Sequence, residues 1–255
     1  MHLMAIPALA DNYIWLLHDD QGNAAVVDPG DADAVEQALA SHGLTLRAIL
    51  LTHHHLDHIG GVEKLQSSHP VETYAPRDPR IGQANQRVGD GDRVELIEPS
   101  IDLEVIEVPG HTLSHVAYVG GGFLFCGDTL FSLGCGRLFE GTAQQMLASL
   151  DRLSTLPGDT LICCAHEYTA ANGRFAREVE PRNLALASRL EDVARRREAS
   201  MPTLPVSLRD ELATNPFLRV DDPAVMAWAE RNGASPGDRI ACFAALRGAK
   251  DRFQG

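Results

Sequence analysis

The stretch Thr52-His53-His54-His55-Leu56-Asp57-His58-Ile59-Gly60-Gly61 limits this chain more than any other. Four of its eleven histidines fall within six residues, with a carboxylate between the third and the fourth. Residues 46–51 before it are a short apolar run that reads as a buried strand. The segment opened by Gly60 and Gly61 reads as a helix through about Ser67. The histidines are therefore expected on a loop between strand and helix, where a rigid scaffold commonly presents functional groups.

Spacing decides what such a loop can hold. In extended chain, side chains two apart point the same way, so His53 and His55 share a face while His54 points away and reads as a non-ligand. Asp57 and His58 follow as the chain turns. Imidazole nitrogen and carboxylate oxygen are the usual ligands of zinc and related divalent ions. The pattern thus offers two ligand pairs, His53/His55 and Asp57/His58, for two adjacent metals.

Further carboxylates and histidines stand at the ends of other predicted strands. Residues 12–17 and 24–28 read as strands, the second stopped by Pro29 and Gly30. Asp28 at its end either steadies the histidine loop as a hydrogen-bond acceptor or caps the turn. Residues 33–43 read as a helix with a glycine stop, and 71–75 as another strand. Residues 76–100 are loop-rich, with a turn at 89–92. The alternating run 103–108 ends at Pro109-Gly110-His111-Thr112, the run 122–127 ends at Asp128-Thr129, and the run 160–165 ends at His166-Glu167. Taken singly, His111 reads as structural and Asp128 as a loop cap. Together with the histidine loop they complete a set: His53, His55 and His111 for one metal, Asp57, His58 and His166 for the other, and Asp128 between them.

Such alternation of strands and helices predicts an α/β layered fold. With 255 residues, 44% hydrophobic and 22% charged, the chain is long enough for a sizeable core. Its net charge of −13 speaks against a nucleic-acid-coating surface but not against a small anionic substrate. No apolar run is long enough to span a membrane, and residues 1–7 make a poor signal peptide. Five cysteines without a C-x-x-C pair read as reduced thiols, so a cytoplasmic location is expected. Nothing in the sequence demands more than a monomer.

With these residues assembled, the chain resembles the glyoxalase II (hydroxyacylglutathione hydrolase) family of the metallo-β-lactamase superfamily. The 52–61 stretch resembles that family's metal loop throughout. Residues 109–112, 125–131 and 166–169 match its later motifs in order and approximate spacing. The resemblance implies an αββα sandwich over residues 1–171, followed by a small helical substrate-binding domain over 172–255, where residues 183–197, 224–232 and 238–247 read as helices. It implies hydrolysis of S-(2-hydroxyacyl)glutathione thioesters, chiefly S-D-lactoylglutathione, to glutathione and D-lactate in methylglyoxal detoxification. The agent would be a metal-bridged hydroxide, with Asp57 orienting it as well as binding metal. Two divalent ions are implied, zinc first, with iron or manganese compatible with the same ligands.

For the substrate, the segment 134–141 resembles the family's glutathione loop. It carries Arg137 and Phe139 where many relatives have Lys and Tyr, so a cation is kept and a hydroxyl is lost. Tyr168 matches a substrate-contacting tyrosine, and Arg247 and Lys250 match the family's pair of cations near the C-terminus. Arg195-Arg196-Arg197 matches nothing functional and reads as a solvated helix end. Asn215-Pro216-Phe217 recurs in the family as a structural link between helices. The alternative within the superfamily is a persulfide dioxygenase using one iron; the full second ligand set and the Arg247/Lys250 pair favour the hydrolase.

Overall fold

The computed structural model describes residues 1–254. They form two compact units that interleave along the chain. One comprises residues 1–107, 114–127 and 163–166; the other comprises 108–113, 128–162 and, among the described residues, 167–254.

The first unit is built on two sheets. Strands β1 (His2–Ala8), β2 (Asn12–His18) and β3 (Asn23–Val27) pair in order, β1 with β2 and β2 with β3, both antiparallel. Helix α1 (Ala32–His42) then crosses over to β4 (Thr45–Leu50), which pairs parallel with β3. Helices α2 (Leu56–Ile59) and α3 (Val62–Ser68) carry the chain to β5 (Glu72–Pro76), and β6 (Gln86–Val88) completes a six-stranded sheet in sequence order. Parallel pairing needs such crossovers, and they cover one face with helices. Ile14, Leu16, Ala24, Val26 and Ile49 accordingly pack on Val35 and Leu39 of α1 and on Val62 and Leu65 of α3. Truncating a fully buried Leu16 to alanine should cost about 2–5 kcal/mol.

The residues in between, Trp15, Leu17, Ala25, Val27 and Leu50, are buried on the other face. There lies the second sheet, made in this unit from β7 (Arg93–Leu96), β8 (Ile101–Glu107), β9 (Val116–Gly120) and β10 (Phe123–Gly127), all antiparallel. Residues 163 and 164 run beside β10. Two buried polar atoms tie the sheets together: the Trp15 indole N–H donates to the Cys164 carbonyl at 2.9 Å, and the Tyr118 hydroxyl to the Leu51 carbonyl at 2.9 Å. Burial on both faces explains why these strands read as near-continuous apolar runs.

In the second unit, residues 108–113 and 128–129 lead to the short hairpin β11 (Leu130–Phe131) and β12 (Gly134–Cys135), followed by α4 (Ala143–Ser154), whose start carries a full capping box between Thr142 and Gln145. Strand β13 (Leu161–Cys164) leads to α5 (Thr169–Val179) and α6 (Leu184–Glu198). Strand β14 (Val206–Ser207), paired with Leu161 and Ile162, opens into α7 (Leu208–Thr214) and a 3-10 turn at Pro216–Leu218; α8 (Pro223–Arg231) and α9 (Arg239–Arg252) complete the chain. Phe217 is the hub of this core, its ring 6.1 Å from Phe175 and 5.8 Å from Phe243.

Two sequence expectations change. The region 76–100 contains β6 and β7, too short and too charged to show a period. The helix expected from Gly60 is preceded by the single turn α2, so Asp57 and His58 sit on helix rather than loop. The two glycines serve a close crossing instead: a Cβ at Gly60 would lie 2.9 Å from the Gly30 carbonyl, and one at Gly61 2.5 Å from that of Pro29.

Candidate metal and substrate site

In the first unit the parallel pairing brings two strand ends side by side, where α/β sheets commonly bind ligands. Asp28 follows β3 and Thr52 follows β4. Asp28 takes a left-handed backbone (φ 53°), uncommon for a residue with a Cβ but tolerated by aspartate. Its carboxylate accepts the Thr52 N–H at 2.8 Å, the Thr52 hydroxyl at 2.6 Å and the His58 Nδ1–H at 2.9 Å. Of the two roles open to Asp28, it performs the first: it steadies the histidine loop.

These bonds fix which nitrogen of each imidazole faces inward. A carboxylate only accepts, so His58 carries its proton on Nδ1 and presents Nε2. His166 is held the same way, Nδ1 against Asp11 at 2.8 Å. Both Nε2 atoms face one oxygen: Asp57 Oδ2 lies 3.5 Å from His58 Nε2 and 3.4 Å from His166 Nε2. Asn12 donates to the same oxygen at 3.1 Å. The Thr52 hydroxyl donates its hydrogen bond to Asp28, so its oxygen accepts from His53 Nδ1 at 3.0 Å. His53 Nε2 then faces His55 Nδ1, 3.0 Å away. Two ligands on one tetrahedral zinc ion stand about 3.3 Å apart, as Zn–N bonds of about 2.0–2.1 Å require. His54 turns to Asp78 (3.5 Å), whose carboxyl is held well below the usual range, chiefly by hydrogen bonds from Arg80.

The second unit places the next two predicted ligands together. His111 Nδ1 donates to the Arg137 carbonyl at 2.9 Å, leaving Nε2 3.3 Å from Asp128 Oδ2. Both residues are more than nine-tenths buried. Gly136 makes this possible, since a Cβ there would fall 1.9 Å from the Asp128 carbonyl. The donor set therefore fits divalent metal ions: imidazoles with defined tautomers, carboxylates beside them, and an acceptor behind each ring that has a carboxylate, hydroxyl or carbonyl at its outer nitrogen.

His111 and Asp128 also line a cavity of about 450 Å³, with Arg137, Phe139, Tyr168, Arg247 and Lys250 around it. All five predicted substrate residues thus meet at one cavity. Their roles differ. The Arg247 guanidinium is buried, donating to the Cys135 carbonyl at 2.6 Å and to Asp251 at 3.0 Å, and lies 5.3 Å from the centre of the Phe217 ring. Lys250 keeps its ammonium at the cavity. Burial lowers its pKa first, and the charges of Arg247, Arg137 and Arg174 lower it further. The Phe139 ring is 63% exposed and stands edge-on to His111 at 5.1 Å. Tyr168 packs edge-on to Phe131 at 5.2 Å.

The residues that sequence reasoning missed are the holders: Asp11, Asn12 and Thr52, and also His115, buried and stacked on His53 at 4.6 Å and 17°. Their only signal was adjacency to strand ends.

Two family models divide the chain between them: "Metallo-beta-lactamase superfamily" over residues 11–166 and "Hydroxyacylglutathione hydrolase C-terminus" over residues 167–253. A relative from Xanthomonas euvesicatoria, named hydroxyacylglutathione hydrolase, is 52% identical across the whole of both chains. One of the same name from Cupriavidus metallidurans is 51% identical over 98% of each. The chain belongs to the hydroxyacylglutathione hydrolase family. Its fold is accordingly the αββα sandwich of the metallo-β-lactamase superfamily with a C-terminal helical domain. Among solved structures, ETHE1 from Myxococcus xanthus matches with a TM-score of 0.64 at 24% identity, covering 98% of this chain and 100% of that one. The BLEG-1 B3 metallo-β-lactamase gives 0.65 at 24% identity, covering 85% and 99%. At that identity the likeness concerns the fold alone, whereas membership of the hydrolase family rests on the full-length relatives.

Proposed function

We propose that this enzyme hydrolyses S-(2-hydroxyacyl)glutathione thioesters, chiefly S-D-lactoylglutathione, to glutathione and D-lactate, as a step of methylglyoxal detoxification. The observation that carries the reading is the match along the entire chain to hydroxyacylglutathione hydrolases, helical C-terminal part included. The persulfide dioxygenase alternative is not favoured by these relatives. In this reading residues 1–171 form the catalytic domain and 172–255 the substrate-binding domain.

His53, His55 and His111 would hold one metal and Asp57, His58 and His166 the other, with Asp128 shared. Zinc is the first choice, and iron or manganese suit the same donors. Divalent ions at such a site lower the pKa of bound water from about 15.7 toward neutrality and polarise a carbonyl oxygen.

The chain's own groups supply the rest. Asp57, held by Asn12 and facing two imidazole nitrogens, orients the attacking water toward the thioester carbon. Asp28 and Asp11 keep His58 and His166 in one tautomer throughout. A glutathione thiol of ordinary pKa, about 8.5, leaves as thiolate without a dedicated acid. Lys250 and Arg137 bind the glutathione carboxylates, while Arg247 braces the cavity wall and adds charge to it. Phe139 and Tyr168 flank the thiol carrier.

The protein acts on a small molecule as a cytoplasmic monomer, with no nucleic-acid or membrane partner. Among the described residues no helix is long and apolar enough to cross a membrane. Incubation with S-D-lactoylglutathione tests the reading: loss of thioester absorbance with equimolar D-lactate and glutathione is expected. A metal-loaded sample that leaves this thioester intact while consuming oxygen with glutathione persulfide would overturn it.

A further inference from the structure

Between Asp128 and Arg137 the chain makes the hairpin β11–β12, with Ser132 and Leu133 at its tip. Leu133 has φ 59°, a left-handed backbone that a branched apolar residue adopts only when its surroundings impose it. Two side chains from a distant part of the sequence supply that constraint. Glu211, on α7 and fully buried, accepts the Ser132 hydroxyl at 2.7 Å and the Leu133 N–H at 2.8 Å. Asn215, directly after α7, donates through one amide nitrogen to the carbonyls of Phe131 (3.1 Å) and Gly134 (2.9 Å), and to Glu211 Oε2 (3.0 Å). One carboxylate therefore grips both tip residues, and one amide grips both residues flanking them. Asn172 on α5 adds a bond to the Ser132 carbonyl at 3.1 Å, and Arg247 one to that of Cys135.

The hairpin leads to the site at both ends. It begins two residues after Asp128, and two residues after it comes Arg137, whose carbonyl fixes the His111 tautomer. Gly136 N–H donates to the Thr129 carbonyl at 3.0 Å, closing the base. We infer that Glu211 and Asn215 are positioning residues: through the β11–β12 hairpin they hold Asp128 and the Arg137 carbonyl, and hence His111, in ligating geometry. A buried glutamate is costly without full hydrogen bonding, and the three bonds of the Glu211 carboxylate go to the hairpin tip and to its partner Asn215. The role rests on the metal-site reading given above, but it extends the site to residues that touch neither metal nor substrate.

The test uses the full-length protein with Glu211→Gln, which keeps the shape and loses one acceptor, and the milder Ser132→Ala. Zinc affinity is measured by equilibrium dialysis on the folded fraction, with kcat and KM for the thioester on the zinc-saturated protein. Glu211→Gln should weaken the less tightly held zinc by about 10–100-fold, the usual cost of losing an outer support, and lower kcat with little change in KM. Ser132→Ala should shift both in the same direction by a smaller factor. Wild-type zinc affinity and kcat per folded molecule in Glu211→Gln would overturn the inference, leaving the clamp a matter of stability only. If Glu211→Gln does not fold, unchanged zinc affinity in Ser132→Ala overturns it equally. Zinc affinity is read without substrate, so failure of the parent protein to hydrolyse the thioester would count against the proposed reaction and not against the clamp.

Discussion

The imidazoles of the histidine loop and His166 on one side, and the cations of the C-terminal helix α9 on the other, are both clusters of nitrogen-bearing side chains, yet the structure treats them in opposite ways. Each of His53, His58 and His166 has its outer nitrogen held by an acceptor, so the inner one has a single orientation. On α9, Arg247 has its charge committed to the Cys135 carbonyl and Asp251, while Lys250, three residues on, remains at the cavity. Two neighbouring cations of one motif thus divide into one whose charge is bonded within the fold and one that lines the cavity. The lesson is that a metal loop is defined by what stands behind its ligands, and a cationic pair by what each member is already bonded to.

Removing ligands should break the first half of this contrast most severely. His166→Ala deletes a nitrogen aimed at Asp57. Metal analysis should show one ion lost per chain, with kcat/KM falling by more than the roughly 100-fold that an outer support can cost. Asp28→Asn tests the support itself. It keeps the shape but removes the charge that orders Thr52 and His58, and metal affinity should fall about 10–100-fold while circular dichroism stays that of the parent.

The second half predicts a split between the two cations. Arg247→Ala removes a donor from the Cys135 carbonyl and packing from Phe217, so chemical denaturation should show a loss of about 1–3 kcal/mol as well as a raised KM. Lys250→Ala should raise KM about tenfold, the equivalent of one charged hydrogen bond, at unchanged stability. Equal stability loss in both variants would erase the distinction.

Lys250 also sets a pH dependence. Burial and the three arginines favour its neutral form, so its proton leaves below the ordinary 10.5. An anionic substrate binds the protonated form. KM should therefore be lowest below that depressed pKa and rise as pH rises through it, and the rise should vanish in Lys250→Met. The smallest change is Phe139→Tyr, which restores a hydroxyl at an exposed ring; KM should fall by a few-fold at most, or about 0.5–1 kcal/mol.

The seven residues proposed to hold metal were legible because ligand chemistry demands particular residue types at short spacing or at strand ends, and both leave marks in a sequence. The central strands were legible for a related reason, since burial on both faces makes continuous apolar runs. What could not be read were the groups whose work depends on a partner far away in sequence. Asp11 and Asn12 are ordinary turn residues until His166 arrives 155 positions from Asp11. Glu211 lies 79 positions from Ser132, on a helix of seven residues too short to show a period. Asp28 stood between two readings, because a turn cap and a loop support look alike without the neighbouring strand. The same limit applies to Arg247, whose sequence position predicted the right cavity but not the bond that occupies it.

In the proposed reaction the enzyme hydrolyses a thioester with two metals that these seven residues would hold. Metal-free protein is titrated with zinc while S-D-lactoylglutathione hydrolysis is followed. Activity should climb to a plateau at about two equivalents of zinc per chain, as a shared-water mechanism requires. A plateau at one equivalent, with the second ion adding nothing, would contradict it.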